Sequence, residues 1–195
     1  MAVLKKIPTW FTGSFIFMSL LYLLWFYVVI PIETLITPTF PLLASFLYLP
    51  HFVRVIATWY YGYKAFFGLV AGHSIGFLIT MGNPPFELSE IGIIVLGSGS
   101  AAVALWLLDW AKLLKSAENT NKAVNWRGLV VLGFLASLIN SIGSALIRLD
   151  GAPAEEVLPF ILRILIGDTG SIIVGLIVMM FFFRISRGLK EQKGK

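Results

Sequence analysis

Six long apolar stretches constrain this chain more than anything else in it: Phe11–Ile30, Phe40–Tyr61, Ala65–Met81, Ile91–Trp110, Gly128–Ile147 and Val157–Phe183. A helix that crosses the hydrocarbon core of a bilayer needs about 20 predominantly apolar residues. Backbone polar groups in lipid must be satisfied within the segment, so such stretches become helices. The pattern predicts an all-α, polytopic membrane protein, a single bundle of six transmembrane helices occupying residues 1–195. Composition agrees: 58% of the residues are hydrophobic and 13% charged, where soluble domains carry about 25% charged residues. The second and third stretches are joined only by Gly62-Tyr63-Lys64. Together they are too long for one crossing, and glycine permits the sharp turn between them.

Charge sets the expected orientation. Lys112, Lys115, Lys122 and Arg127 fill the connection after the fourth stretch, and Arg184, Arg187, Lys190, Lys193 and Lys195 fill the tail. Basic connections stay in the cytoplasm. The connections 82–90 and 148–156 carry mostly acidic charge and are expected outside. Lys5 and Lys6 place the N-terminus inside, and the apolar run that follows exceeds the roughly 7–15 residues of a signal-peptide core. It is therefore read as a retained first helix. Two inside ends require an even number of crossings, and six satisfies this. The expected location is the inner (plasma) membrane, with Trp10, Trp25, Trp59, Trp110 and Trp126 as interfacial anchors. The alternative is five crossings with Ile32–Pro50 at the surface, since Pro31, Pro38, Pro41 and Pro50 make that segment irregular.

Helices in lipid associate through close packing of small residues. Gly68, Gly72 and Gly76 recur every four residues and are expected to meet a neighbouring helix. Gly133, Ser137 and Ser141 form a similar face, and the fourth and sixth stretches are rich in glycine and serine.

Ionisable groups inside the membrane are costly and default to functional candidates. At 1.5 Å per residue, Asp168 lies about 16 Å below the outer end of its helix. His51, Arg54, His73 and Asn140 fall at similar depths, with Ser98 and Ser100, while Arg163 sits higher. His51, Arg54, His73, Asn140, Arg163 and Asp168 are the candidate ligand-binding residues. His51 and Arg54, three apart, share a helix face. The matching depths predict a direct or water-bridged Arg54–Asp168 pair, serving either a ligand pocket or helix register alone.

Other chemistry finds no support. The chain has no cysteine, and two histidines on different helices make no metal site. No catalytic constellation or phosphate-binding loop is visible, so no enzyme activity and no cofactor are expected. The net charge of +5 comes from residues at the ends of apolar runs, which argues for a lipid bilayer and against nucleic acid.

Two motifs carry a resemblance. Leu49-Pro50-His51-Phe52-Val53-Arg54, followed by Trp59, Gly62 and Gly72, and the later Ile166-Gly167-Asp168-Thr169-Gly170 resemble bacterial membrane-integral sensory domains. In that family a Leu-Pro segment leads a helix ending in Gly, and a late Gly-Asp opens the final span. The layout is also similar to the six-helix substrate-capture subunits of energy-coupling-factor transporters, whose second hairpin Gly62-Tyr63-Lys64-Ala65, Gly68 and Gly72 resemble. The likeness covers roughly residues 38–82 and 160–176. The sensory domains usually have more spans and an attached output domain, whereas this sequence runs only a short way past its last stretch. Either resemblance implies protein partners in the membrane or at its cytoplasmic face. The expected function is binding of a small ligand or ion at the bilayer midplane, for uptake or sensing. The alternative is a structural accessory subunit of a larger membrane complex.

Overall fold

The computed structural model describes residues 7–36, 45–82, 87–115, 126–149 and 153–193. Among these, all regular secondary structure is helical: α1 (Thr9–Ile36), α2 (Leu49–Tyr61), α3 (Ala65–Met81), α4 (Leu88–Trp110), α5 (Trp126–Arg148) and α6 (Ala154–Lys193). Five stretches are long and apolar enough to cross a membrane: Thr9–Ile36, Leu49–Met81, Leu88–Trp110, Trp126–Arg148 and Glu155–Ser186. The second of these comprises α2 and α3 together.

Those two helices are not one rod. Gly62 takes φ 66 and ψ −156, a backbone conformation that side chains disfavour, and a 3-10 turn over Gly62–Lys64 follows. A continuous helix would hold residues 54 and 73 about 28 Å apart. Instead Arg54 Nη2 lies 3.3 Å from His73 Nδ1, so the chain doubles back at Gly62.

Two elements depart from the expected boundaries. Of the stretch 40–61, residues 40–44 lie outside the described residues, 45–48 are not helical, and α2 begins only at Leu49. Its 13 residues span about 20 Å, less than the hydrocarbon core of about 30 Å. The non-helical lead-in is partly covered by protein, with Phe46 exposed. Tyr48 N–H donates to Gly167 O at 3.2 Å, and a Cβ on Gly167 would collide with the Ser45 carbonyl. Irregular backbone inside a membrane protein is tolerated where protein buries it. The first helix is longer than expected and runs through Pro31. A π-helical turn at Trp25–Val29 falls where proline has no N–H to offer the carbonyl one turn back.

Glycine sets the closest helix contact, as its spacing predicts. On α3, an added Cβ would lie 2.6 Å from Phe11 O at Gly68, 2.7 Å from Phe15 O at Gly72 and 2.6 Å from Tyr22 Cδ1 at Gly76. Both series ascend together, so α1 and α3 run parallel with their backbones in contact. α4 packs on α5, and α5 on α6. Short α2 is the centre of the bundle and touches all five other helices.

Large apolar side chains cover the outside while a set of polar groups is held inside. Phe17, Trp106, Leu146 and Phe182 face outward and exposed, while His51, Arg54, His73, Ser98, Ser100, Asn140 and Asp168 are buried. Toward the Gly62 end, Val55, Trp59, Leu105, Leu108, Leu129 and Leu132 close the centre with an apolar cluster. Trp59 therefore belongs to the core, and Trp25 is also buried. Neither is the interfacial anchor expected from its position near a span end.

Candidate functional site

Above that apolar plug lies a cavity of about 300 Å³. Arg54, His73, Asn140 and Asp168 line its deeper part, and Tyr22, Trp25 and Tyr48 its aromatic side. Its lining also reaches Met81, Glu90 and Arg148. These sit at the last residue of α3, the first turn of α4 and the last residue of α5, so the cavity extends to the bundle end opposite Gly62.

Arg54 is 2% exposed. Its Nη2 donates to Tyr48 Oη at 3.1 Å and lies beside His73 Nδ1. The guanidinium carbon stands 5.1 Å from the Tyr48 ring centroid, a cation–π distance. Room for it comes from α4: a Cβ on Gly97 would meet Arg54 Nη2 at 2.7 Å. Among the described residues, Arg54 Nε has no partner, and neither has the Trp25 indole N–H. Among the described residues, no carboxylate lies within ion-pair distance of Arg54.

Asp168 is served from the other side. Asn140 Nδ2 donates to its Oδ2 at 2.8 Å, and His51 Nδ1 stands 3.2 Å from the same oxygen. His51 Nε2 faces the Gly133 carbonyl at 3.1 Å. A carbonyl only accepts, so Nε2 carries a hydrogen. The Nδ1–Oδ2 approach is a close contact rather than a hydrogen bond, and Nδ1 has no hydrogen-bond partner among the described residues. Asp168 Oδ1 is left without a partner.

The structure thus gathers Arg54, His73, Asn140 and Asp168 around one cavity and sets His51 directly behind Asp168. The direct Arg54–Asp168 pair is not made. His51 and Arg54 diverge on α2, one toward α5 and α6, the other toward α3 and α4, and each finds different partners. Arg163 is half-buried on α6 and lies outside the lining. Ser98 and Ser100 are buried but also lie outside it, Ser100 Oγ donating to Gly97 O at 2.9 Å.

Sequence reasoning missed the aromatic side. Tyr22 and Trp25, three apart on α1, share a face, and their rings stack edge to face with centroids 5.5 Å apart. Trp25 meets Tyr48 at 4.8 Å. That spacing was a usable signal. The role of Gly97 was hidden in a run of small residues. Among the described residues, no cluster of three or more His, Cys, Asp or Glu could hold a metal ion.

No protein-family model, curated protein or solved structure matches the chain.

Proposed function

We propose that this protein is a membrane module of six crossings, both ends in the cytoplasm, that binds a small polar ligand near the bilayer midplane. It works in uptake or sensing together with partner proteins, in the plasma membrane of a bacterial cell. The carrying observation is Arg54: a guanidinium held almost free of exposure beside a cavity, with an unmet N–H and, among the described residues, no carboxylate within ion-pair distance. A charge buried in a membrane bundle is costly, and a site that leaves its donors facing a cavity is organised for an incoming acceptor.

The reversal at Gly62 supports two crossings between Leu49 and Met81. The basic residues of the connection after α4 and of the tail support cytoplasmic ends. The cavity then faces away from the cytoplasm, and the apolar plug seals its inner side.

The chain has no native cysteine, so Ser144→Cys places a single thiol in the cavity lining. A water-soluble, membrane-impermeant thiol reagent is expected to label it from outside intact cells. A thiol that reacts from neither side would tell against a binding site and favour a purely structural subunit.

A further inference from the structure

We infer that the ligand is a small organic anion whose carboxylate sits on Arg54 and the Trp25 indole N–H, with its apolar body toward the mouth; this rests on reading the cavity as a binding site. The argument is a charge and donor census. The two recorded partners of Arg54, Tyr48 and His73, contribute no carboxylate. Asp168 accepts from Asn140 and lies against His51, and it makes no ion pair with Arg54 among the described residues. Glu90 and Arg148, both in the lining, are opposite in sign and offset each other. The Arg54 guanidinium is left with no carboxylate in direct contact among the described residues.

The unmet groups sharpen the choice. Arg54 Nε–H and Trp25 Nε1–H are buried donors without acceptors. An indole N–H cannot accept and a guanidinium has no acceptor atom, so both require ligand oxygens or an equivalent. A carboxylate offers two oxygens and a negative charge in direct contact with the guanidinium, and its hydrogen bonds to a guanidinium are among the strong ones. Phe77, Ile93, Ile94 and Ile164 also line the cavity, which suits a hydrocarbon or aromatic body better than an inorganic ion. A hydroxyl or amino substituent on the ligand would meet Asp168 Oδ1.

The test uses full-length protein in lipid nanodiscs. The probes share a phenyl body: 3-phenylpropanoate, its neutral amide, and the cation phenethylamine. The propanoate is expected to raise the melting temperature and slow modification of Ser144→Cys, whereas the amide and the amine do neither. Arg54→Gln should weaken propanoate binding by about 30-fold or more, the lower end for removing one side of a buried charge pair. Trp25→Phe, which keeps the ring and removes the N–H, should weaken it severalfold and serves if Arg54→Gln does not fold. In parallel, the rate of Ser144→Cys with an anionic over a cationic methanethiosulfonate should exceed the same ratio with Arg54→Gln added by about tenfold. Equal ratios would overturn the anion. So would binding of the amide or amine as tight as that of the propanoate, while the cavity itself still stood as a site. A thiol unreactive from both sides would sink ligand class and site together.

Discussion

His51 Nδ1 stands 3.2 Å from Asp168 Oδ2, with both side chains at or below 1% exposure. The contact joins the central helix α2 to α6. Depth matching anticipated an Arg54–Asp168 pair, and the contact from α2 to Asp168 comes instead from His51, three residues earlier.

The first prediction tests the His51–Asp168 contact by a double-mutant cycle. His51→Leu leaves Asp168 with a single partner in the bundle interior, and should cost about 3–5 kcal/mol of stability. Asp168→Asn in the same chain should restore part of the loss, with a coupling of about 0.5–3 kcal/mol. Thermal unfolding in mild detergent reads all four proteins. Strictly additive losses would mean that the contact contributes nothing.

Helix spacing gives a second test. Gly68→Ala pushes a methyl group into the Phe11 carbonyl, which is backbone and has little freedom to move. A loss of about 1–3 kcal/mol is expected, the usual range for overpacking. Gly99→Ala is the control, because its added carbon would meet Phe66 at an ordinary 3.5 Å. Similar melting temperatures for the two variants would contradict the α1–α3 backbone contact.

Topology can be decided at one residue. Lys64 is exposed at the reversal. With six crossings, Lys64→Cys lies at the cytoplasmic surface and labels in inside-out vesicles but not in intact cells. If Leu49–Met81 crossed once, that thiol would sit at mid-membrane and label from neither side.

A fourth prediction separates the site from the scaffold. Gly97→Ala places a carbon where the Arg54 guanidinium lies, so the flexible arginine must shift while the helices stay in place. Ligand-dependent protection of Ser144→Cys should fall more steeply than the melting temperature. A variant that melts early yet protects normally would show that Gly97 serves packing only.

How far the sequence reached follows from what is local. Gly68, Gly72 and Gly76 announced a contact face because a four-residue repeat is a property of one helix. The levels of Asp168, Asn140 and His73 were legible by counting along each helix, whereas the count for His51 and Arg54 ran over residues 45–48, which are not helical. Partner choice was not, because it depends on how the helices are arranged around α2. Two residues three apart still diverge by part of a turn, enough to send His51 to α6 and Arg54 to α3. Trp25 and Trp59 misled because closeness to a span end says nothing about whether a ring faces lipid or a neighbouring helix. Pro31 and Pro50 marked irregularity without fixing its form, which became a wide turn before the first and a late helix start before the second.

The lead-in at Ser45–Tyr48 bears on the order in which the chain is assembled. Its Tyr48 amide is met by Gly167, in α6, more than a hundred residues later. A ribosome delivers residues 45–48 to the membrane long before it delivers that glycine. Until α6 arrives, this stretch of backbone has no helical bonds of its own and lacks its final cover. The second segment therefore reaches its final seat only when the sixth is in place, and a chain truncated before α6 should leave the early helices inserted but unfinished.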